Sequence, residues 1–575
     1  MPDLSAPARR AGPRLVPLLR TGRPLRLAPA ARAAAAALLL AAGPWAGAAA
    51  QPAGAAEVPA DAAPQVDVQR YQVSGNTLLD PARVQAVLAA HTGPRSLAGL
   101  RQAAQAVQAL YGEAGFAAVV VYLPPQPAAD GVVTLNVVEG KVARIEVQGA
   151  QRLSAERVRA ALPSLVEGAT PRVRQIDAEL QIANENPGRS MGVLLGPGTN
   201  PGEVVATVQV AEQPVQRFTV SLDNSGNDRT GAYRLGLGWQ HADLTGHDDL
   251  LGLQLQTSPT DASSVKVASA AWRLPLVRQR AAMDLFAVYS DVDGGVQSTL
   301  AGDLRFAGRG RVFGARMVWY LPRWGEFDQR LTTGLESRDY LNDCTIDNQP
   351  GSCLAAGESV AVQPLTLDYA AQSGGPTPAS LNVSLSHNLA LGGRHGSAAA
   401  FEAVRPGAPR RYTVLRASGS LTVPLSSLVA LPLLEGAQLT GRFAAQHSAD
   451  RLVPGEQFGL GGAGSVRGYA ERELAADTGF LLSLELVSPR LGEGLLPAAA
   501  ELRGMVFADG GQVRSLGGAE CRPGHGSCSA SSLGLGARLA WGPVQWRFAV
   551  AQAQQDAGST RAHGWRSHVA LIASF

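Results

Sequence analysis

Four groups of residues in this chain have types and spacings that could carry chemistry. Gly459, Gly461 and Gly464 form a G-x-G-x-x-G match within Gly459-Leu460-Gly461-Gly462-Ala463-Gly464-Ser465-Val466-Arg467-Gly468-Tyr469. That spacing cradles a dinucleotide pyrophosphate only between a strand and a helix in a βαβ unit. The flanking sequence offers no such setting, so nucleotide chemistry is set aside. His241, His247, Asp248 and Asp249 have metal-ligating types, but a solvated turn accounts for them more simply. Cys344 with Cys353 and Cys521 with Cys528 form two tight local pairs. In an exported chain this reads as two loop disulfides. A tetracysteine zinc site would prefer C-x2-C spacing, which is absent. The fourth group is Phe507-Ala508-Asp509-Gly510-Gly511, with one carboxylate between small residues. No Ser/His/Asp arrangement and no paired carboxylates stand out. The sequence therefore predicts no enzyme, no cofactor and no metal.

The elements that must position these residues are mostly strands. In the last eleven residues, Phe575, Ala573, Leu571, Val569 and Trp565 share one face, broken only by Ser567. Ser574, Ala570, His568 and Arg566 share the other, with Ile572 the single apolar residue among them. A terminal strand that ends on an outward aromatic is the signature of an outer-membrane β-barrel, and Phe575 is its C-terminal signal. Similar alternation begins at Arg217, where Phe218, Val220 and Leu222 oppose Thr219 and Ser221, and recurs to the end. The spans predicted as strands are 217–223, 230–241, 249–257, 263–274, 281–290, 310–321, 328–341, 362–373, 380–390, 412–424, 436–448, 479–488, 500–511, 531–542, 544–555 and 565–575. These make roughly sixteen, an even number as bacterial barrels have. A soluble sandwich shares the same period. Trp239, Trp541 and Trp565 at strand ends favour a membrane aromatic girdle instead. His568 then faces the lumen as a polar filler.

Composition agrees. Hydrophobic residues make up 46% and charged residues 17%, and mean hydropathy is +0.01, too low for a helical membrane bundle. Alternating strands dilute hydropathy in this way. A net charge of +3 gives no reason to expect nucleic acid. Seven arginines before Ala33 and an uncharged run to Ala50 read as a signal peptide over residues 1–50, followed by an Ala/Pro-rich linker over 51–65. Two similar βααββ units follow, over 66–140 and 141–213, and the barrel occupies 214–575. If the first barrel strand rises from the periplasm, both cysteine pairs fall in external loops, where a disulfide limits loop disorder.

By strand alternation, Asp509 shares the inward face with Arg503, Met505 and Phe507. An unpaired carboxylate in a narrow, protein-lined lumen is costly and calls for a cation. Arg467 supplies one if its glycine-rich loop folds inward. The residues alone equally allow Asp509 to face channel water and Arg467 to sit on an exposed loop.

Taken together, Ser465-Val466-Arg467-Gly468-Tyr469 followed by Phe507-x-Asp509-x-Gly511 resembles the two-partner secretion transporters, the TpsB or ShlB/FhaC/HecB-type hemolysin secretion and activation family. Gly115-Phe116 with Tyr122-Leu123-Pro124-Pro125-Gln126, and Val138-Glu139-Gly140-Lys141-Val142, match as well. So do Asn186-Pro187-Gly188, Leu195-x-Pro197-Gly198, and Asp223-Asn224-x-Gly226 with Gly231. The order and spacing of these short motifs, from about residue 66 to Phe575, make the resemblance specific.

The resemblance implies a transmembrane barrel of about sixteen antiparallel strands behind two α+β POTRA domains in the periplasm. It implies an inward-folded loop carrying Gly464, Ser465, Val466, Gly468 and Tyr469, with Arg467 paired to Asp509 on a barrel wall marked by Phe507 and Gly511. It also implies one large, Sec-delivered β-helical partner, a TpsA-type exoprotein. That partner docks on the POTRA domains, passes through the lumen without nucleotide, and is in some members activated. Other expected partners are outer-membrane lipid, periplasmic chaperones and the barrel-assembly machinery, with no nucleic acid. Family members often carry an N-terminal plug helix. At helical rise the short linker here reaches little more than about 20 Å, so no lumen-spanning plug is expected. A barrel-assembly insertase of the same superfamily, usually richer in POTRA units, and a passive porin are the alternative readings.

Overall fold

In the computed structural model, described residues run from 65 to 575, apart from 128–129, 228–230, 264, 292–294, 300–301, 307–308, 342–344, 347–348, 351–357, 430, 493 and 495. The predicted signal peptide and linker, and the Cys344/Cys353 pair, lie outside the described residues.

Two small α+β units come first. In the first, strands Arg70–Ser74, Val132–Glu139 and Val119–Tyr122 form one sheet, with the outer pair flanking Val132–Glu139. Helices Pro81–Ala89 and Leu97–Glu113 cover it. Asp80 and Ser96 cap them by accepting from the Ala82 and Gly99 amides. Val84, Leu88, Leu100, Val107, Tyr111 and Leu135 form the core. In the second unit, Lys141–Gln148, Glu203–Glu212 and Arg189–Pro197 repeat the sheet, and Ala155–Ala160 and Val173–Ala183 repeat the helices.

The repeat extends to the turn after the first strand. Gly75 and Gly149 sit at φ +85° and +82°, and a Cβ at either would lie 2.2 Å from a backbone carbonyl, Val137 or Val210. Only glycine tolerates both conditions. Beside each glycine, a carboxylate from the end of the sheet receives the turn's amides. Glu139 accepts from the Thr77 and Leu78 amides at 2.8 and 2.9 Å, and Glu212 from those of Gln151, Arg152 and Leu153 at 2.9–3.1 Å.

The remaining chain closes into an antiparallel barrel. Its strands, in order, are Gln216–Asp223, Arg234–Ala242, Leu250–Thr257, Lys266–Leu276, Ala281–Asp291, Arg309–Trp324, Phe327–Leu341, Val360–Ser373 (interrupted at Gln363), Ala379–Asn388, Thr413–Pro424, Gln438–Ser448, Thr478–Val487, Ala500–Arg514, Ser527–Trp541, Val544–Ala553 and Trp565–Ser574. The two pieces of the eighth both pair the seventh, so the barrel has sixteen strands, one for each span predicted from alternation. The sixteenth pairs the first through Ala570–Ser574 and Thr219–Asp223, which leaves no free edge.

Which face points outward separates a barrel from a sandwich. Leu222, Leu237, Leu255, Phe313, Leu335, Leu367, Leu385, Leu415, Leu484, Leu535 and Leu571 are all exposed on strands. A soluble protein rarely leaves so much apolar surface bare; acyl chains cover it here. Trp324, Trp541, Trp565 and Phe575 are among the most exposed large apolar side chains, at 73%, 55%, 64% and 68%. They stand at strand ends, where aromatic girdles form. Among the described residues no helix is long and apolar enough to cross a membrane; the strands do it.

The second α+β unit is docked on one end of the barrel. Ile182, at the end of its long helix, packs with Ala282, Val318 and Tyr320. Arg189 forks onto Asp248 at 2.7 and 2.9 Å, and Arg157 reaches Asp243 and Asp248 at 2.9 and 3.0 Å. Glu185 receives Arg273 and Arg330 at 2.6 and 2.8 Å and the Tyr320 hydroxyl. The turn at residues 241–249, read from sequence as solvated, is thus an interface. Asp248 belongs to two arginines, and Asp249, fully buried, accepts from Thr245 and from the Trp272 indole at 2.8 Å. These turns follow even-numbered strands, so that end is the periplasmic one.

Candidate functional site: a loop folded into the barrel

The connection between the eleventh and twelfth strands, residues 449–477, turns inward. Its arms pair as a short hairpin, Phe458–Leu460 against Leu474–Ala476. Phe458, Leu460, Val466, Tyr469 and Leu474 pack on Val513, Ala530 and Ala553 of the inner wall. Glycine permits this approach. Gly461 and Gly462 adopt φ of +109° and +103°, and a Cβ on Gly461 would lie 2.3 Å from the Ala470 carbonyl. On the wall, a Cβ at Gly511 would lie 2.9 Å from Leu460 of the loop. The G-x-G-x-x-G match is therefore a folding device, and no helix follows it.

At the tip, Arg467 is 4% exposed and Asp509 likewise 4%. Arg467 donates from Nε to Asp509 Oδ2 at 2.7 Å and from Nη2 to Oδ1 at 2.8 Å, the two-pronged geometry that a guanidinium fits to a carboxylate. Its backbone amide reaches the same carboxylate at 3.1 Å. Its Cζ lies 3.4 Å from the centre of the Phe507 ring, a cation–π contact. Asp509 faces inward because its strand alternates: Met505, Phe507 and Asp509 are buried, while Val506 is exposed.

Around this pair the structure adds residues that sequence reasoning missed. Glu485 accepts from Arg467 Nη1 at 2.7 Å and also from Arg442 and Arg538. Register places Ser483 beside Asp509 and Glu485 beside Phe507. The inward parity of the twelfth strand was the available signal. His568 is more than a filler, since its Nε2 accepts from the Gly468 amide at 3.1 Å. Tyr469 is buried, and its hydroxyl lies 3.0 Å from the Ser531 and Gln555 carbonyls, donating its one proton between them and accepting from the amides of the same two residues at 3.3 and 3.2 Å. Val466 is fully buried, Ser465 Oγ receives the Gly461 amide at 3.3 Å, and Gly464 has open space about it. Cys521 and Cys528 are joined by a disulfide at the start of the fourteenth strand. Among the described residues no His/Cys/Asp/Glu group is arranged to hold a metal ion.

A closed barrel behind two POTRA domains, with one loop folded inside, is the architecture of an outer-membrane β-barrel protein with a periplasmic arm. Residues 202–539 match the family described as haemolysin secretion/activation protein ShlB/FhaC/HecB, and residues 66–140 match the ShlB-type POTRA domain. The chain belongs to this family. It resides in the outer membrane, with its POTRA domains in the periplasm. Among named proteins it is 30% identical over 167 residues to the heme/hemopexin transporter protein HuxB of Haemophilus influenzae, covering 28% of this chain and 29% of that protein. It is 26% identical over 462 residues to the outer membrane transporter CdiB of Escherichia coli, covering 79% of this chain and 73% of CdiB. The solved structure of CdiB from Escherichia coli has the same fold, with a TM-score of 0.74 at 21% identity over 91% of this chain and 93% of that one. CdiB from Acinetobacter baumannii also matches, with a TM-score of 0.68 at 17% identity over 89% of this chain and 90% of that one.

Proposed function

We propose that this protein is a TpsB translocase. It exports, and in an accompanying role activates, one large TpsA-type exoprotein. The assigned units are POTRA 1 over residues 66–140, POTRA 2 over 141–213 and the barrel over 214–575. The partner docks on the POTRA domains as an extended chain, through strand addition at an open sheet edge, and enters the lumen from the periplasm. The inward loop is the gate. Its closed position is set by Arg467 between Asp509 and Glu485, and this is the observation that carries the reading.

A lumen without this salt bridge would leave Asp509 buried and uncompensated, which is strongly unfavourable. The gate therefore has a defined resting state, and a partner must supply interactions that replace it. No side chain here is asked to make or break a covalent bond.

The test is co-expression with the product of a neighbouring large reading frame encoding a secreted repeat protein, scored by surface appearance of that product. Arg467→Ala is expected to lower export about tenfold or more while the barrel still inserts, because breaking a buried pair disturbs the loop by about 3–5 kcal/mol. Normal export by this variant would remove the gate from the mechanism.

A further inference from the structure

The loop is held at a second place, with the opposite polarity. Eleven positions before Arg467, Glu456 closes a short 3-10 turn, Pro454–Glu456, at the base of the loop. Its side chain has no solvent exposure. One oxygen accepts from Arg338 Nη1 at 2.7 Å and from the Tyr340 hydroxyl at 2.8 Å. The other accepts from Arg416 Nη2 at 3.2 Å, and the Glu456 carbonyl accepts from Gln446 Nε2 at 2.9 Å. Arg338 and Tyr340 belong to the seventh strand, Arg416 to the tenth and Gln446 to the eleventh. The Glu456 carboxylate thus ties the seventh and tenth strands, and its backbone carbonyl the eleventh, whereas Arg467 is held by the twelfth and thirteenth.

Packing supports the same point. The neighbouring Leu452 and Val453 are buried with Tyr340, Val360, Val362, Tyr412 and Val414 of the wall, and with Phe401 from helix Ala398–Val404 in the preceding external loop. A Cβ on Gly455 would fall 2.4 Å from the Tyr340 ring. Arg405, at the end of that helix, forks onto fully buried Asp477 at 2.5 and 2.7 Å where the loop leaves toward the twelfth strand. The base is therefore embedded in an apolar core and clasped at both its entry and its exit. The tip, by contrast, is a glycine-rich turn around one arginine.

We propose that Glu456 is the pivot of the gating loop: when the tip is released from Asp509, the loop turns about a base that Glu456 keeps on the wall. The proposal rests on the gate reading above, and names the residue that decides how the gate moves. Glu456 is a positioning residue. It exchanges no proton and need not meet the passing chain.

The neighbours make this testable without collapse of the wall. When Glu456 loses its charge, Arg338 keeps Glu336 at 2.7 Å and Arg416 keeps Gln446 Oε1 at 2.9 Å. The full-length protein is inserted in outer membranes without any partner, and a membrane-impermeant maleimide is applied to single reporter cysteines, with labelling of the unsubstituted chain subtracted. Val466→Cys reports the tip, where the parental side chain is fully buried. Gln457→Cys, half-buried beside Glu456, reports the base.

The expected pattern is specific. Arg467→Ala raises labelling at 466 by at least about tenfold and leaves 457 at the parental rate, whereas Glu456→Gln raises 457 by at least about tenfold, because loss of a buried charge pair shifts the opening equilibrium by more than one decade. Tyr340→Phe, which removes one donor and keeps the packing, raises 457 by a smaller factor and serves if Glu456→Gln fails to insert. Parental labelling at 457 in the Glu456→Gln and Tyr340→Phe backgrounds overturns the pivot, as does equal release of both reporters by Arg467→Ala. These measurements contain no exported partner. Normal export by Arg467→Ala would sink the gate reading while leaving the pivot result legible.

Discussion

The two POTRA domains share a topology but spend their polar side chains differently. In POTRA 1, Arg83 stands three residues after the capping Asp80, just before buried Val84, and is exposed. In POTRA 2, Arg157 stands three residues after the capping Ser154, just before buried Val158, and is bound to Asp243 and Asp248 of a barrel turn. Arg189 and Glu185 extend the same contact. One scaffold thus serves as a collar fixed to the barrel and as an arm with a free polar face. Compact domains within one chain move relative to one another unless the interface holds them. For POTRA 2, buried ion pairs and the Ile182 contact do that holding.

The largest test of this contrast is Asp248→Ala. It leaves Arg189, only 5% exposed, without its carboxylate, and removal of one partner from a buried pair costs about 3–5 kcal/mol. Spin labels placed on POTRA 2 and on the barrel should show one narrow distance distribution in the parent and a broad one in the variant. An unchanged distribution would mean that the apolar contact alone sets the collar.

A smaller effect lies within POTRA 1. Burial pushes the Glu139 carboxyl up, but hydrogen bonds from Thr77, Leu78 and Tyr111 outweigh it and hold the carboxyl below the ordinary carboxylate range. Such a group adds stability that is present above its unfolded value and is lost as pH falls through the folded one. Glu139→Gln should therefore destabilise POTRA 1 at neutral pH by about 1 kcal/mol. The gap to the parent should narrow as pH drops below about 4, in the range of the ordinary carboxylate. Glu179 of POTRA 2 has the opposite sign. Burial raises its carboxyl above the usual value despite hydrogen bonds from Ser164, so this one group adds stability as pH falls toward its range, against Glu212 and Glu203 of the same domain, which hydrogen bonds hold low as they hold Glu139. Glu179→Gln should remove that acid-side gain, read as hydrogen exchange of POTRA 2 against the parent across acid pH. The smallest expected effect is Arg83→Ala, within about 0.5 kcal/mol; a larger loss would show that POTRA 1 uses this face as POTRA 2 does.

Much of the architecture was legible because a strand between lipid and lumen must alternate. Each barrel strand occurs where alternation was read, and the inward parity of Asp509 and His568 follows from counting residues along one strand. Glu485 was equally countable, on the inward side with Ser483, yet drew no notice without its partner. Glu456 could not be found in this way. It lies in a non-periodic loop, and its partners sit 118 and 40 residues away in the chain. The turn at 241–249 failed for a related reason: its composition suits water, and only a second domain turns its carboxylates into an interface.

The amino-acid order by itself determined the solvent, the strand period, the repeat of the two α+β units and the glycines that let one loop bend sharply. These depend on neighbours a few residues apart. Closure of the barrel decided which charges meet: Arg467 with Asp509 and Glu485, Glu456 with Arg338 and Arg416, Arg189 with Asp248. Such pairs form only when distant segments share one desolvated space, because a buried charge is tolerable there solely beside its opposite.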